Sequence, residues 1–273
     1  MAIITISREL AALGDETAQE LVKEFGYKLV DKSVLEERMK SYGISSRKFQ
    51  KYDEKKPSFL ASLSSDRDDY LHFLKSAVLA EAEQGNAVFI GRGAAEILRS
   101  VPSLFSVFLA ASNEIRQERG KSYFHCDDKR ASQIILQSDN DREGFYRFFF
   151  DIDWKDAGNY HLALNTGCFD AELCAKTIAF IQGKSMDKET DSQGAKRIQE
   201  ITLGQRIKHH ILYEKEISIH FLEASVSENQ VFLYGVANTQ PLVDAAVSFA
   251  KELAPDFSIQ SEIQVVKDYS ILP

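Results

Sequence analysis

Chemistry is first legible in Ser7-Arg8-Glu9-Leu10-Ala11-Ala12-Leu13-Gly14-Asp15-Glu16-Thr17. The stretch follows a short β-rich run and opens a helix, which is the position of a phosphate-binding loop. Such a loop works through glycines that let backbone N–H groups crowd a phosphate. It also uses a Lys to reach the outer phosphates and a Ser or Thr to hold magnesium. Here Gly14 stands alone, and Asp15 and Glu16 begin the helix where a Lys would be needed. Acids at a helix start are favourable, each by about 0.3–1 kcal/mol, and that structural role accounts for them. Toward a triphosphate they are adverse. One repelled unit charge at about 4 Å and an effective dielectric near 20 costs about 4 kcal/mol.

Other reactive residue types carry less. His209 and His210 are neighbours on an expected helix, so they point apart and do not share a metal. Cys126, Cys168 and Cys174 lack the surroundings of an activated thiolate. They are also too few for a disulfide framework or a zinc site. The aromatic run Phe145-Tyr146-Phe148-Phe149-Phe150 reads as packing rather than base stacking, and Trp154 as core or hinge.

Elements must position these residues. Buried strands are expected at 2–7, 87–90, 105–110 and 161–165, with helices after the first loop, at 66–84 and at 170–182. Buried strands separated by helices imply an α/β fold with a parallel sheet covered on both faces. Ligands in such sheets bind beyond the carboxyl ends of the strands. That directs attention to 7–14, Asp31, 91–96 and the segment after Ala110. The polar stretch 183–200 reads as a linker. Beyond it, 201–273 reads helix (203–212), strand (217–226), strand (230–236), helix (242–253) and strand (259–266), a small α+β domain of α-β-β-α-β order. The chain thus resolves into 1–182, a linker, and 201–273.

The 273 residues are 44% hydrophobic and 27% charged, which excludes global disorder. No run of about 18 apolar residues predicts a membrane span. No secretory leader is evident at Met1. Few cysteines and no leader fit a reducing cytoplasm. The net charge is −8. Half of it falls in 201–273, which hold five basic and nine acidic side chains, so neither half suits a nucleic-acid backbone.

Ile6-Ser7-Arg8-Glu9 followed by Gly14 and Glu16 resembles the opening of the cytidylate-kinase-like family of P-loop nucleoside monophosphate kinases. The likeness runs on through most of 1–182. It takes in Leu29-Val30-Asp31-Lys32, Phe89-Ile90-Gly91-Arg92-Gly93-Ala94, and Val107-Phe108-Leu109-Ala110-Ala111 with Arg116 and Arg119. It closes with Asp139-Asn140-Asp141-Arg142, Tyr146, Asp153-Trp154, Asn159-Tyr160 and Asn165-Thr166. The resemblance implies a parallel sheet flanked by helices, with ATP and Mg²⁺ as donor and a CMP-like monophosphate as acceptor. It puts Ser7, Arg8, Gly14, Asp15 and Glu16 at the donor, and Asp31 and Arg92 at the acceptor. Arg116, Asp139 and Arg142 would hold the acceptor and the transferring phosphate.

Departures from the family pattern concentrate on the donor side. Ala11, Ala12 and Leu13 replace a glycine-rich stretch, Asp15 replaces a basic residue, and Ala95 replaces an Asp. The expectation is a pseudokinase or nucleotide sensor with impaired or lost phosphoryl transfer. An active kinase, with magnesium bridging Asp15 to the nucleotide, is the alternative. Separately, Val231-Phe232-Leu233-Tyr234-Gly235-Val236-Ala237-Asn238, with Ala245-Ala246 and Phe249-Ala250, resembles a BON-type module. That resemblance implies binding of a lipid or a partner. The acidic balance turns the expectation toward a protein partner or self-association, and a scaffold acting through this domain is the third reading.

Overall fold

The computed structural model describes residues 2–44 and 66–266; residues 45–65 of the first expected domain and 267–273 of the second lie outside them. The chain divides into two compact units, Met1–Ala195 and Lys196–Pro273.

The first unit holds β1 (Ile3–Arg8), α1 (Gly14–Phe25), β2 (Lys28–Val30), α2 (Lys32–Ser41), α3 (Asp66–Glu83), β3 (Ala87–Ile90) and the single turn α4 (Ala94–Ile97). It continues with β4 (Leu104–Ala110), α5 (Asn113–Phe124), α6 (Asp128–Phe150), β5 (Leu162–Asn165) and α7 (Ala171–Ser185). The strands form one parallel sheet in the order β2-β3-β1-β4-β5. β1, β3 and β4 are β-branched and aromatic runs, and they are buried almost throughout. That pattern belongs to strands covered on both faces. On one face Ile4, Ile6, Val88, Ile90, Val107 and Leu109 pack against Ala18 and Leu21 of α1 and Ala175 and Ile178 of α7. Because all five strands run the same way, their carboxyl ends at Arg8, Val30, Ile90, Ala110 and Asn165 open along one edge.

The expected linker at 183–200 is mostly helix. α7 runs to Ser185, and α8 (Lys188–His209) begins three residues later. The stretch is polar, but its Lys, Glu, Gln and Arg residues are good helix formers. Polarity here marks a solvated helix surface, and the division between the two units falls inside α8.

The second unit carries a π-turn at His210–Glu214, β6 (His220–Ser227), β7 (Gln230–Ala237), α9 (Gln240–Leu253) and β8 (Ser258–Val265). The sheet order is β6-β7-β8, antiparallel then parallel. β6 starts three residues later than the sequence suggests. The Ile217 N–H bonds back to the Ile211 carbonyl at 2.9 Å, and Glu216 is left-handed at φ 53°, so the chain is still turning there. Ile207, Ile211, Leu222, Val231, Leu233, Val243, Ala246 and Ile263 build its core. Among the described residues, no helix is long and apolar enough to cross a membrane.

Candidate nucleotide site

The loop between β1 and α1 takes its path from two left-handed residues, Ala11 at φ 61° and Leu13 at φ 54°. Both lie in the stretch where glycines are expected. Each side chain there costs about 1–2 kcal/mol against glycine's freedom. The bend is held from outside. Arg119 of α5 donates to the Ala11 carbonyl at 3.2 Å, to Thr166 Oγ1 at 3.0 Å and to the Thr166 carbonyl at 2.7 Å. Gly14 is needed for space, because a Cβ there would stand 2.4 Å from Arg8 Cγ.

Two cavities open beside this loop. One of about 440 Å³ is lined by Arg8, Asp15, Asp31, Lys32, Ile90 and Arg92, among others. A second of about 240 Å³ is lined by Arg8, Glu9, Leu13, Gly14, Asp15, Glu16, Tyr123 and Arg142, among others. Arg8 and Asp15 line both, 3.8 Å apart. The structure therefore gathers Arg8, Gly14, Asp15, Glu16, Asp31, Arg92 and Arg142 of the sequence-derived set around two adjoining spaces. Ser7 lies underneath, buried, with its Oγ 3.4 Å from the Tyr146 hydroxyl.

One wall residue of the larger cavity, Arg92, sits in strained backbone. Gly91, Arg92 and Gly93 are three successive left-handed residues after β3, at φ 67°, 56° and 66°. Arg92 is buried in that turn, which sets a guanidinium against the cavity. A non-glycine residue held there marks a place where surroundings over-determine the backbone. Asp31 caps α2: its carboxylate accepts from Ser33 N at 2.9 Å, Val34 N at 3.1 Å and Ser33 Oγ at 2.7 Å. Burial pushes its pKa up, but the Ser33 hydroxyl and the two N–H groups outweigh it and hold the carboxyl below its usual range.

In the smaller cavity the acids dominate. Asp15 and Glu16 occupy the first turn of α1, and the Tyr123 hydroxyl of α5 donates to Glu16 across the space. Burial first, then the Glu16 carboxylate, pushes the Tyr123 pKa up to about 12.

Arg116 and Asp139 form an ion pair with each other. Among the described residues they line neither cavity; they grip one another. Arg116 Nη1 lies 3.1 and 3.0 Å from the two Asp139 oxygens, and Nη2 lies 3.0 Å from Oδ2. Arg116 also donates to Asn113 Oδ1 at 2.7 Å, and its Nε is 3.5 Å from Glu9 Oε2. Lys155 Nζ completes the cluster, 3.0 Å from both Glu9 Oε1 and Asp139 Oδ2. Burial alone would lower the Lys155 pKa, but Asp139 and Glu9 overcome it and raise it. Two cations and two carboxylates thus tie α5, α6 and the segment after α6 to the end of β1. Arg142 Nη1 meanwhile donates to Ser138 Oγ at 2.5 Å.

Sequence reasoning gave no role to Glu9, Tyr123 or Lys155. Lys155 directly follows the quoted Asp153-Trp154 pair, which was the one available signal. His209 Nε2 and His210 Nδ1 lie 3.9 and 2.6 Å from the Glu214 carboxylate. Among the described residues no cluster of metal-ligating side chains exists. Phe145, Tyr146, Phe149 and Trp154 are buried, as packing requires. Burial pushes the Cys174 thiol up to about 11.

The order of the sheet, the loop after its central strand and the arginine-walled cavity all belong to residues 3–167, which match the model of the cytidylate kinase-like family. The chain belongs to that family. A cytidylate kinase of Methanococcus aeolicus is 27% identical over 142 residues, spanning 51% of this chain and 73% of the relative. A solved structure of an uncharacterized protein from Eubacterium ventriosum superposes with a TM-score of 0.54 at 21% identity, covering 67% of this chain and 99% of that one. At that identity the likeness speaks for the fold alone.

Proposed function

We propose that this cytidylate kinase-like protein binds a CMP-like monophosphate in the 440 Å³ cavity and has lost, or nearly lost, ATP-dependent phosphoryl transfer. The carrying observation is the head of α1. A helix N-terminus ordinarily welcomes a phosphate, and here that place holds Asp15 and Glu16 with Tyr123 bonded to Glu16. The donor group therefore does not fit. A triphosphate would meet two carboxylates and no Lys from the loop, and Arg116 is engaged by Asp139 and Glu9. No step through ATP or Mg²⁺ follows from such a loop. The acceptor side fits better, since Arg8, Lys32 and Arg92 line the larger cavity and outnumber the carboxylates of Asp15 and Asp31 there.

The reading is a cytoplasmic nucleotide sensor whose BON-like second unit engages a partner. Calorimetric titration of the full chain with CMP and, separately, with MgATP tests it. CMP heat without micromolar MgATP binding is expected. Micromolar MgATP binding followed by phosphate transfer to CMP would establish the active-kinase alternative. Silence on both would leave the scaffold reading.

A further inference from the structure

We propose that the open face of the β6-β7-β8 sheet docks a protein segment that presents an arginine or lysine among aliphatic side chains. The inference stands apart from the nucleotide reading and rests on the second unit alone.

Alternation sorts the strands into two faces. Leu222, Val226, Val231, Leu233, Ala237 and Ile263 enter the core. The alternate positions of β7 are Phe232, Tyr234 and Val236, an apolar line down the middle of the other face. The Phe232 and Tyr234 rings stack with centroids 6.5 Å apart, and Tyr234 is 39% exposed. Register puts Glu223 of β6 and Glu262 of β8 on either side of Tyr234. Directly opposed side chains on a sheet are within reach of one ligand group.

Lys208 holds the Glu223 carboxylate at 2.7 Å, which leaves Glu262 as the carboxylate beside the ring. A guanidinium or ammonium seated on the Tyr234 ring would gain the cation–π attraction and the Glu262 carboxylate. The three strands together contain no Lys or Arg.

That charge pattern selects the occupant. A second copy laid face to face would bring carboxylates against carboxylates, and anionic lipid headgroups would be repelled. Apolar side chains flanking the cation are called for by Phe232, Val236 and Phe221. Phe221 sits at the bulge between His220 and Glu223, left-handed at φ 54° and 85% exposed. A bulky residue held in that backbone with its ring in solvent is a costly arrangement that packing within the unit does not repay.

The test is fluorescence polarisation with a labelled hexapeptide, Leu-Arg-Val-Arg-Leu-Arg, against the full chain. Its counterpart with every Arg replaced by Glu, and phosphatidylglycerol vesicles, serve as competing probes. The Arg peptide should bind and the Glu peptide and vesicles should not. Tyr234→Ser and Glu262→Lys should each weaken binding about tenfold or more. Glu189→Lys makes the same charge change on α8 of the other unit and should leave it unchanged. An equal loss with Glu189→Lys would reduce the effect to bulk charge and overturn the proposal. Failure of the Arg peptide to bind, or binding of vesicles or the Glu peptide in its place, would overturn it too.

Discussion

Two turns at the carboxyl edge of the same sheet use the same backbone device to opposite ends. After β3, the left-handed run 91–93 spends glycine on two of its three positions and gives the third to Arg92, a cation on a cavity wall. After β1, the left-handed residues are Ala11 and Leu13, and neither brings charge or freedom. The contrast separates shape from chemistry. The loop keeps its bend because Arg119 and the buried cluster around Glu9 hold it from outside. The same cluster pairs Arg116 and Lys155 with Glu9 and Asp139. The bend of the loop therefore does not depend on glycine at these two positions.

The largest expected effect tests whether that outside support is real. Arg116→Ala leaves Asp139 and Glu9 buried with Lys155 as their remaining cation, and should cost about 3–5 kcal/mol in urea unfolding. The double change Arg116→Met with Asp139→Leu should recover much of that loss, because the uncompensated charge is then gone. A single-variant cost below about 1 kcal/mol would mean the cluster does not hold the loop, and the comparison would break.

Next come the two turns themselves. Ala11→Gly should raise stability by about 1 kcal/mol, since relief of left-handed strain exceeds the entropy added to the unfolded chain. Leu13→Gly should gain less, because its half-buried side chain is lost as well. Arg92→Gly relieves strain in the other turn but should abolish measurable CMP binding. If Ala11→Gly, Leu13→Gly and Asp15→Arg are combined, micromolar MgATP binding should appear. That would show that these positions, and not a collapsed pocket, decide whether the loop takes a triphosphate.

Which of these features was legible in the sequence follows from how each one is encoded. β1, β3 and β4 are continuous β-branched and aromatic runs, and Gly26 ends α1 at φ 67° as a glycine there should. Arg92 and Asp31 lie in short motifs and could be quoted directly. β2 is three residues beginning with an exposed Lys28, too short to carry a pattern. α8 looked like a linker because its surface is polar. The cluster of Glu9, Arg116, Asp139 and Lys155 is assembled from four separate places in the chain, so no spacing announces it. Charge pairing over such distances is decided by the fold, which sets the Arg116 guanidinium against Asp139.

The smallest effect sharpens the acceptor side. Asp31 could serve the ligand, the helix or both. As the cap of α2 it should contribute about 1 kcal/mol, lost in Asp31→Ala. Its folded pKa lies below the unfolded value, so the contribution is present above the unfolded pKa and disappears as pH falls through the folded one. Thermal melts of the wild type and Asp31→Ala should therefore differ at pH 7 and converge as the pH is taken below the usual carboxylate range. Asp31→Asn keeps one acceptor for the Ser33 and Val34 N–H groups, so most of the stability should survive in it. If CMP binding also survives in Asp31→Asn, the residue shapes the cavity by starting α2 where it does. If stability survives and CMP binding falls, the carboxylate itself meets the ligand, and the acceptor wall is an acid and an arginine acting together.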